Sequence, residues 1–278
     1  MKKRILLTGA TGFVGRQIFA ALCKADIDLI LVVRDSSESR LLQAGVADIV
    51  RTADLFKESV EWWAAACQGV DIVIHAAWYA EPGVYMQSPK NLDCLAGTLN
   101  LAAGCARADV RRFIGIGSCS EYDMRGGHLS IDTPLRPVTP YGGAKAAAFL
   151  ALSTILPQQG VEFVWARLFY LYGEGEDVRR LVPYLRARLS AGEPVELTSG
   201  TQIRDYLDVV DAGAQIASLA LGTVTGSVNI CSGHAQTVRE LAERIADEYG
   251  RRDLLRFGAR ADNHFDPPCV VGIRSAAC

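Results

Sequence analysis

Strand and helix signals alternate from the first residue to Leu156, which predicts an α/β fold: a doubly wound parallel sheet covered on both faces. Three observations carry that prediction. Apolar runs of strand length recur at Arg4 to Thr8, Asp28 to Val33, Ala47 to Arg51, Val70 to His75 and Val110 to Gly117. Segments with helical character separate them, at Phe13 to Cys23, Lys57 to Cys67 and Val84 to Arg107, the last interrupted in propensity by Pro89 and Gly97. The first strand also runs straight into a glycine turn and then a helix, the junction at which such sheets take up dinucleotides.

That junction reads Gly9-Ala10-Thr11-Gly12-Phe13-Val14-Gly15. Glycines let the backbone approach a pyrophosphate with no Cβ in the way, and a helix start offers unpaired N–H groups to an anion. The spacing is Gly-x-x-Gly-x-x-Gly rather than Gly-x-Gly-x-x-Gly, and glycine turns also close purely structural strand–helix units. The position at the extreme N-terminus, behind a strand, favours cofactor binding by Gly9, Thr11, Gly12, Phe13, Val14 and Gly15.

The second strand ends at Arg34-Asp35, where the adenosine ribose of a dinucleotide would lie. An acidic group there accepts from both ribose hydroxyls, whereas arginine suits a 2′-phosphate. Arg34 comes first, with Ser36, Ser37 and Arg40 close behind, which favours NADP(H) and leaves NAD(H) open. Asp54 and Leu55 close the third strand where an adenine edge would lie. Trp62 and Trp63 read as packing residues. Ala76 and Ala77, at the end of the fourth strand, leave room for the cofactor backbone, and His75 is expected to be satisfied by local backbone.

The fifth strand leads into Ser118-Cys119-Ser120-Glu121-Tyr122. Beyond it, Tyr141-Gly142-Gly143-Ala144-Lys145 opens an apolar helical run from Ala146 to Leu156, which Pro157 closes. Residues four apart on a helix lie one above the other. A lysine cation beside a phenol favours the phenolate and lowers its usual pKa of about 10, which suits acid/base work. An ordinary surface Tyr and Lys share this spacing, so the pair gains meaning from what stands upstream.

Composition narrows the classes. Half of the 278 residues are hydrophobic, enough for a sizeable core, and the formal charge of −2 gives no footprint for nucleic acid. Arg179, Arg180, Arg186 and Arg188 read as a solvated helix face. The eight cysteines form no Cys-x-x-Cys pair, which fits a reduced, cytoplasmic compartment. The run after Lys2-Lys3-Arg4 is cut too early for a signal peptide, and no apolar run reaches membrane-spanning length. His128, His234 and His264 lack metal-ligand spacing, so no metal is expected.

The ordered set of Thr8 to Gly15, His75-Ala76-Ala77, Ser118 with Tyr122, and Tyr141-x-x-x-Lys145 closely resembles the extended short-chain dehydrogenase/reductases of the NAD-dependent epimerase/dehydratase group. The resemblance continues through Ala166 to Gly173, Gln202 to Asp211 and Asn229 to Gly233, nearly the whole chain. Within the group, Gly200 to Asp211 and Phe257 to Arg260 look most like CDP-abequose synthase and related sugar 4-ketoreductases. It implies a Rossmann-type sheet over about residues 1–170 and a smaller C-terminal α/β substrate domain over 171–278. Val161 to Leu168 and Gly226 to Cys231 would return to the main sheet, with Arg179 to Thr201 in the cap.

The same resemblance implies site roles. Ser118 would bind a carbonyl oxygen, Tyr141 would exchange the proton, and Lys145 would hold the nicotinamide ribose and lower the Tyr141 pKa. Leu168 would line the cofactor, and Cys119, Ser120, Tyr170 and Arg204 the substrate. An ion pair with Asp205 or Asp208 at the surface is the structural alternative for Arg204. Departures matter too. Sugar dehydratases carry an Asp-Glu pair after the Ser/Thr, where this chain has Cys119 and Ser120, and Glu121 would point to the other side of an extended segment. Cys94 and Tyr170 stand where the family usually has Asn, and the chain stops at Ala276-Ala277-Cys278 where relatives usually continue with a helix, so the end is expected to be truncated or altered. The expected function is NADPH-dependent reduction of a 4-keto nucleotide sugar by a homodimer. The alternatives are an NAD-dependent epimerase and a non-catalytic NADPH-sensing regulator.

Overall fold

The computed structural model describes residues 2–34, 46–263 and 266–275. Asp35, Ser36, Ser37, Arg40, His264 and the terminal Ala276-Ala277-Cys278 lie outside the described residues. The chain begins with β1 (Lys3–Thr8), α1 (Phe13–Leu22), β2 (Ile27–Arg34), β3 (Asp48–Thr52), α2 (Val60–Ala66) and β4 (Ile72–His75). It continues with α3 (Lys90–Arg107), β5 (Arg112–Ser118), β6 (His128–Leu129), α4 (Pro140–Gln158), β7 (Glu162–Leu168) and β8 (Tyr170–Tyr172). Then come α5 (Leu181–Ser190), β9 (Val195–Glu196), β10 (Ile203–Arg204), β11 (Tyr206–Asp208), α6 (Val209–Leu221) and β12 (Gly226–Ile230). The last elements are β13 (Gln236–Thr237), α7 (Val238–Glu248), β14 (Leu255–Arg256) and β15 (Cys269–Gly272).

Seven strands form one parallel sheet in the order β12-β7-β5-β4-β1-β2-β3. The order reverses between β1 and β4, and open sheets of this kind bind ligands at such a switch point. This is the doubly wound α/β architecture that the alternating pattern predicts. Central strands read as nearly continuous apolar runs because both faces are covered. Ile5, Leu7, Leu31, Ile74 and Ile114 face α1 and α6 on one side. Leu6, Val73, Phe113 and Trp165 face α2, α3 and α4 on the other. Trp63 is fully buried there with Trp62 packed against the same core, and Cys67, Cys94, Cys105, Cys119 and Cys231 are buried.

Two helix boundaries differ from the sequence reading. The Val84 to Arg107 segment is not one helix: a 3-10 turn at Tyr85–Gln87 precedes α3, which starts only after Pro89. Proline lacks the N–H that a helix interior needs, so it sits at the entrance. Pro157 lies inside α4 rather than closing it, and the chain turns away at Gly160, whose φ of 76° suits glycine.

The later segments gather beside this sheet. Val182, Leu185 and Leu189 of α5 pack on Leu241 and Ile245 of α7 in a separate apolar core. β13, β10, β15 and β6 make a small second sheet. The carboxylate of fully buried Asp205 ties this region together, accepting from Ser232 N and Oγ at 2.7 Å, Gly233 N at 2.8 Å and Gly272 N at 3.2 Å. No helix among the described residues is long and apolar enough to cross a membrane.

Candidate active site

The glycine turn sits at the switch point and is shaped by contact with its neighbours. Gly9 has φ 75°, and a Cβ there would lie 2.6 Å from Ala77 N. A Cβ on Gly15 would lie 1.9 Å from Gly9 O, so only glycine lets the first turn of α1 settle on the loop. Gly12 caps α1 with no side-chain hydrogen bond, which leaves helix-start N–H groups free for an anion. A side-chain-free cradle at a helix start fits the pyrophosphate of a dinucleotide. Ala76 and Ala77 pack directly behind it, with Ala77 N donating to Thr8 Oγ1 at 3.3 Å.

Ser118 ends β5, two strands away. The residues after it form a 3-10 turn, Cys119–Glu121, not an extended segment, so Glu121 does not point to the opposite side as its spacing suggests. It folds back as a capping box. Ser118 N donates to Glu121 Oε1 at 2.7 Å, and Ser120 N donates to Ser118 Oγ at 3.1 Å. Burial pushes the adjacent Cys119 thiol up to about 12. The start of α4 rests on this turn: a Cβ on Gly142 would lie 2.4 Å from Ser120 O. Thr139 caps α4, accepting from Gly142 N at 3.1 Å.

That packing brings Tyr141 to Ser118. Burial drives the Tyr141 phenol well above its usual range, the nearby Tyr85 phenol adds to this, and a hydrogen bond with Ser118 acts against it. Tyr85 and Trp78 meet the Tyr141 ring edge-on, at centroid separations of 4.8 and 6.3 Å. Lys145 is buried one turn along. Its Nζ donates to Ile116 O at 2.6 Å and lies 3.6 Å from the Trp78 ring centroid, against 6.0 Å for the Tyr141 ring. The expectation that Lys145 makes Tyr141 more acidic is therefore corrected. Desolvation governs the phenol, and it also lowers Lys145 to about 7, with Glu121 opposing that shift.

His75 is held by side chains instead of the expected local backbone. Nδ1 pairs with Thr8 Oγ1 at 2.8 Å and Nε2 with Thr98 Oγ1 at 2.9 Å. Burial, helped by the Lys145 charge, lowers it to about 3, so the ring is neutral at ordinary pH. Cys94, in the place of a family Asn, accepts from Tyr79 N at 3.4 Å.

Other candidates are scattered more widely along the edge. Arg34 is exposed at the end of β2, beside Thr52 in the sheet register. Asp54 Oδ1 accepts from Phe56 N at 3.1 Å, and Leu55 packs against the core. Leu168 pairs in register with Ser118 and with Ile230. Tyr170 starts β8, half-buried, its phenol also raised by burial. Arg204 is buried rather than on the surface, and it bonds neither Asp205 nor Asp208. It pairs with Asp266 at 2.6 Å, donates to Ile203 O at 2.8 Å and lies 5.2 Å from the Tyr170 ring. Arg179, Arg186 and Arg188 form exposed ion pairs with Asp177, Glu248 and Glu193, as a solvated face does.

Sequence reasoning missed four residues that shape the site: Trp78, Tyr85, Glu121 and Arg167. Aromatic residues just after His75-Ala76-Ala77 were an available signal for the first two. Glycines at alternate positions in β5 were a signal for the network around Glu121, since Cβ atoms on Gly115 and Gly117 would strike Trp165 at 2.2 and 2.3 Å.

A parallel sheet with a glycine cradle at its switch point, and Ser118, Tyr141 and Lys145 gathered along the same edge, defines a dinucleotide-dependent oxidoreductase of the short-chain dehydrogenase/reductase type. The sequence profile of the NAD dependent epimerase/dehydratase family matches residues 5–231, and the chain belongs to that family, the extended short-chain dehydrogenase/reductases. It is 23% identical to dTDP-6-deoxy-L-talose 4-dehydrogenase (NAD(+)) of Aggregatibacter actinomycetemcomitans over 274 residues, covering 97% of this chain and 99% of that one. It is 23% identical to CDP-abequose synthase of Salmonella muenchen over 268 residues, covering 94% of this chain and 86% of that one. Among solved structures, MoeE5 in complex with UDP-glucuronic acid and NAD superposes with a TM-score of 0.82 at 28% identity, covering 99% of this chain and 91% of that one.

Proposed function

We propose that the protein reduces a 4-keto nucleotide sugar to a deoxysugar nucleotide, with NADPH as the hydride source. The observation that carries this reading is the meeting of Tyr141 with Ser118 at the carboxyl edge of β5. A half-buried tyrosine whose hydroxyl is desolvated and raised in pKa is protonated at neutral pH, which is the state a proton donor to a developing alkoxide requires. Ser118, whose Oγ already accepts from Ser120 N, keeps its O–H to donate to the same oxygen. Gly9, Thr11, Gly12, Phe13, Val14 and Gly15 would hold the pyrophosphate, and Lys145 the nicotinamide ribose. Asp54, Leu55, Ala76, Ala77 and Leu168 would line the cofactor further along the edge. The dinucleotide supplies the hydride when bound.

Cys119 and Ser120 offer no acid and base for removing water, which argues against dehydration. Substrate contacts are assigned to Ser118, Cys119, Ser120, Tyr170 and Arg204. A 4-keto sugar is favoured by the two oxidoreductase and synthase relatives whose names concern deoxysugar nucleotides. Arg34, exposed at the end of β2, favours NADP(H), although the talose dehydrogenase relative is named for NAD(+). Leu92 of α3 and Leu150 and Ile155 of α4 are exposed apolar residues, which supports pairing of two copies through these helices.

The test is cofactor consumption on CDP-, dTDP-, UDP- and GDP-4-keto-6-deoxyhexoses with NADPH and NADH in parallel. Stoichiometric NADPH oxidation on one of them is the expected result. Copurification of bound NAD, with sugar interconversion and no net cofactor consumption, would instead identify an epimerase.

A further inference from the structure

We propose that Trp78 walls the nicotinamide end of the cofactor site and that Asn91 is the positioning residue that sets the angle of its ring. The inference rests on the reading of Tyr141 and Lys145 as the groups at that end of the cofactor, and it deepens that reading.

The starting observation is a buried amide that serves two aromatic residues instead of its own helix. Asn91, in the first turn of α3, is 1% exposed, and the helix is capped at Pro89 without any side-chain bond. Burying an amide costs free energy unless its oxygen and both N–H groups find partners, and here all three do. Oδ1 accepts from Trp78 Nε1 at 2.8 Å, and Nδ2 donates to Tyr85 O at 2.7 Å and to Ser88 O at 2.9 Å. An indole has a single N–H, directed in the plane of its ring, so this one bond fixes how the Trp78 ring lies.

Those two aromatic residues are the ones that meet Tyr141. The Tyr85 ring stands edge-on to the phenol ring at 4.8 Å with an interplanar angle of 87°, and the Trp78 ring does so at 6.3 Å and 83°. Trp78 also carries the Lys145 ammonium over its face, 3.6 Å from the ring centroid, while Ile116 O accepts from that ammonium at 2.6 Å. In the chain Trp78 follows Ala77 directly, and Ala77 N lies 2.6 Å from where a Cβ on Gly9 would stand. The indole thus links the glycine cradle to Tyr141 and Lys145, the two places a dinucleotide has to join. Trp62, Trp63 and Trp165 belong to the core under α2, α3 and α4, whereas Trp78 is half-buried and offers its ring to an ammonium at the sheet edge. An electron-rich indole suits a flat nicotinamide ring beside it, most of all the cationic oxidised form.

The test reads cofactor binding, not turnover. NAD⁺ and NADP⁺ are titrated into the wild type and the variants Trp78→Phe, Asn91→Leu and Trp78→Phe/Asn91→Leu. Tryptophan fluorescence and calorimetry are read on the same samples, with thermal melting verifying the fold and Asn91→Ala replacing Asn91→Leu if the latter does not fold. Oxidised nicotinamide quenches an excited indole only at short range. Binding should therefore quench the wild type, and Trp78→Phe should lose most of that quenching while still binding. Asn91→Leu keeps every tryptophan, yet it should also lose quenching and weaken cofactor affinity by about tenfold. In the Trp78→Phe background the same change should weaken affinity by less than about threefold, because phenylalanine has no N–H for the amide to hold. An amide serving packing alone would lower the melting temperature in both backgrounds and leave the quenching of the folded Asn91 variant intact. That result, or quenching undiminished in Trp78→Phe, would overturn the inference. A wild type that bound neither dinucleotide would instead overturn the cofactor reading beneath it.

Discussion

Two turns leave the carboxyl edge of the same sheet with β4 between them, and they are held by opposite means. The turn after β1 is built from what is missing: Gly9 and Gly15 approach backbone so closely that no side chain fits, and a Cβ on Gly12 would already press on Gly9 O at 3.3 Å. The turn after β5 is built from side chains, with Glu121 reaching back to Ser118 N and bonding Trp165 and Arg167 from β7. A backbone cradle suits a ligand recognised by its phosphates, which carry charge but little shape. A side-chain lattice suits reacting groups that must hold their place to within a fraction of an ångström.

The comparison can be broken at either turn. The largest expected effect concerns His75, which braces Thr8 immediately before the glycine turn. Its folded pKa of about 3 lies below the unfolded value of 6.5, so the unfolded chain binds the extra proton first. Its contribution is complete above pH 6.5 and declines as pH falls toward 3, by on the order of 5 kcal/mol across that window. Denaturant unfolding at stepped pH should show this slope, and a folded His75→Gln variant should flatten it. A slope unchanged in that variant would remove His75 as its source.

Gly15→Ala comes next. Its Cβ would meet Gly9 O at 1.9 Å, a clash with backbone that cannot swing aside. Overpacking of this kind costs about 1–3 kcal/mol, and cofactor affinity should fall with stability. At the second turn, Gly142→Ala would press on Ser120 O at 2.4 Å and push Tyr141 from Ser118. Turnover should drop roughly tenfold or more, out of proportion to the change in melting temperature. The smallest effect belongs to Gly143→Ala next door. A Cβ there meets nothing within 4 Å, so the variant should gain about 0.5–1 kcal/mol from helix propensity and keep its activity. Equal losses at the two glycines would sink the argument from close approach.

The same contrast explains what could be read from the sequence. The glycine turn is local: strand, glycines and helix are contiguous, and the reason for each glycine lies within a few residues or at the end of the adjacent strand. The sheet was legible for a similar reason, since each buried strand declares itself as an apolar run. The β5 turn depends on Trp165 and Arg167, which are distant in sequence and arrive only when β7 pairs with β5. Counting along an extended chain sent Glu121 outward, whereas the 3-10 turn sends it inward. The Tyr141–Lys145 spacing was read correctly as a shared helix face, but spacing says nothing of Trp78, whose ring draws the ammonium aside. The sequence alone left the surface ion pair open as the alternative for Arg204, because the residue's burial depends on β10 lying between β13 and β15.

The central claim is that the Tyr141 hydroxyl gives its proton to the substrate while the glycine cradle holds the dinucleotide independently. Tyr141→Phe tests it most directly, with turnover and cofactor dissociation constant measured on the same folded preparation. The account expects turnover to fall by roughly 10²–10⁴-fold with cofactor affinity changed less than about threefold. Turnover close to wild type in that variant would contradict it.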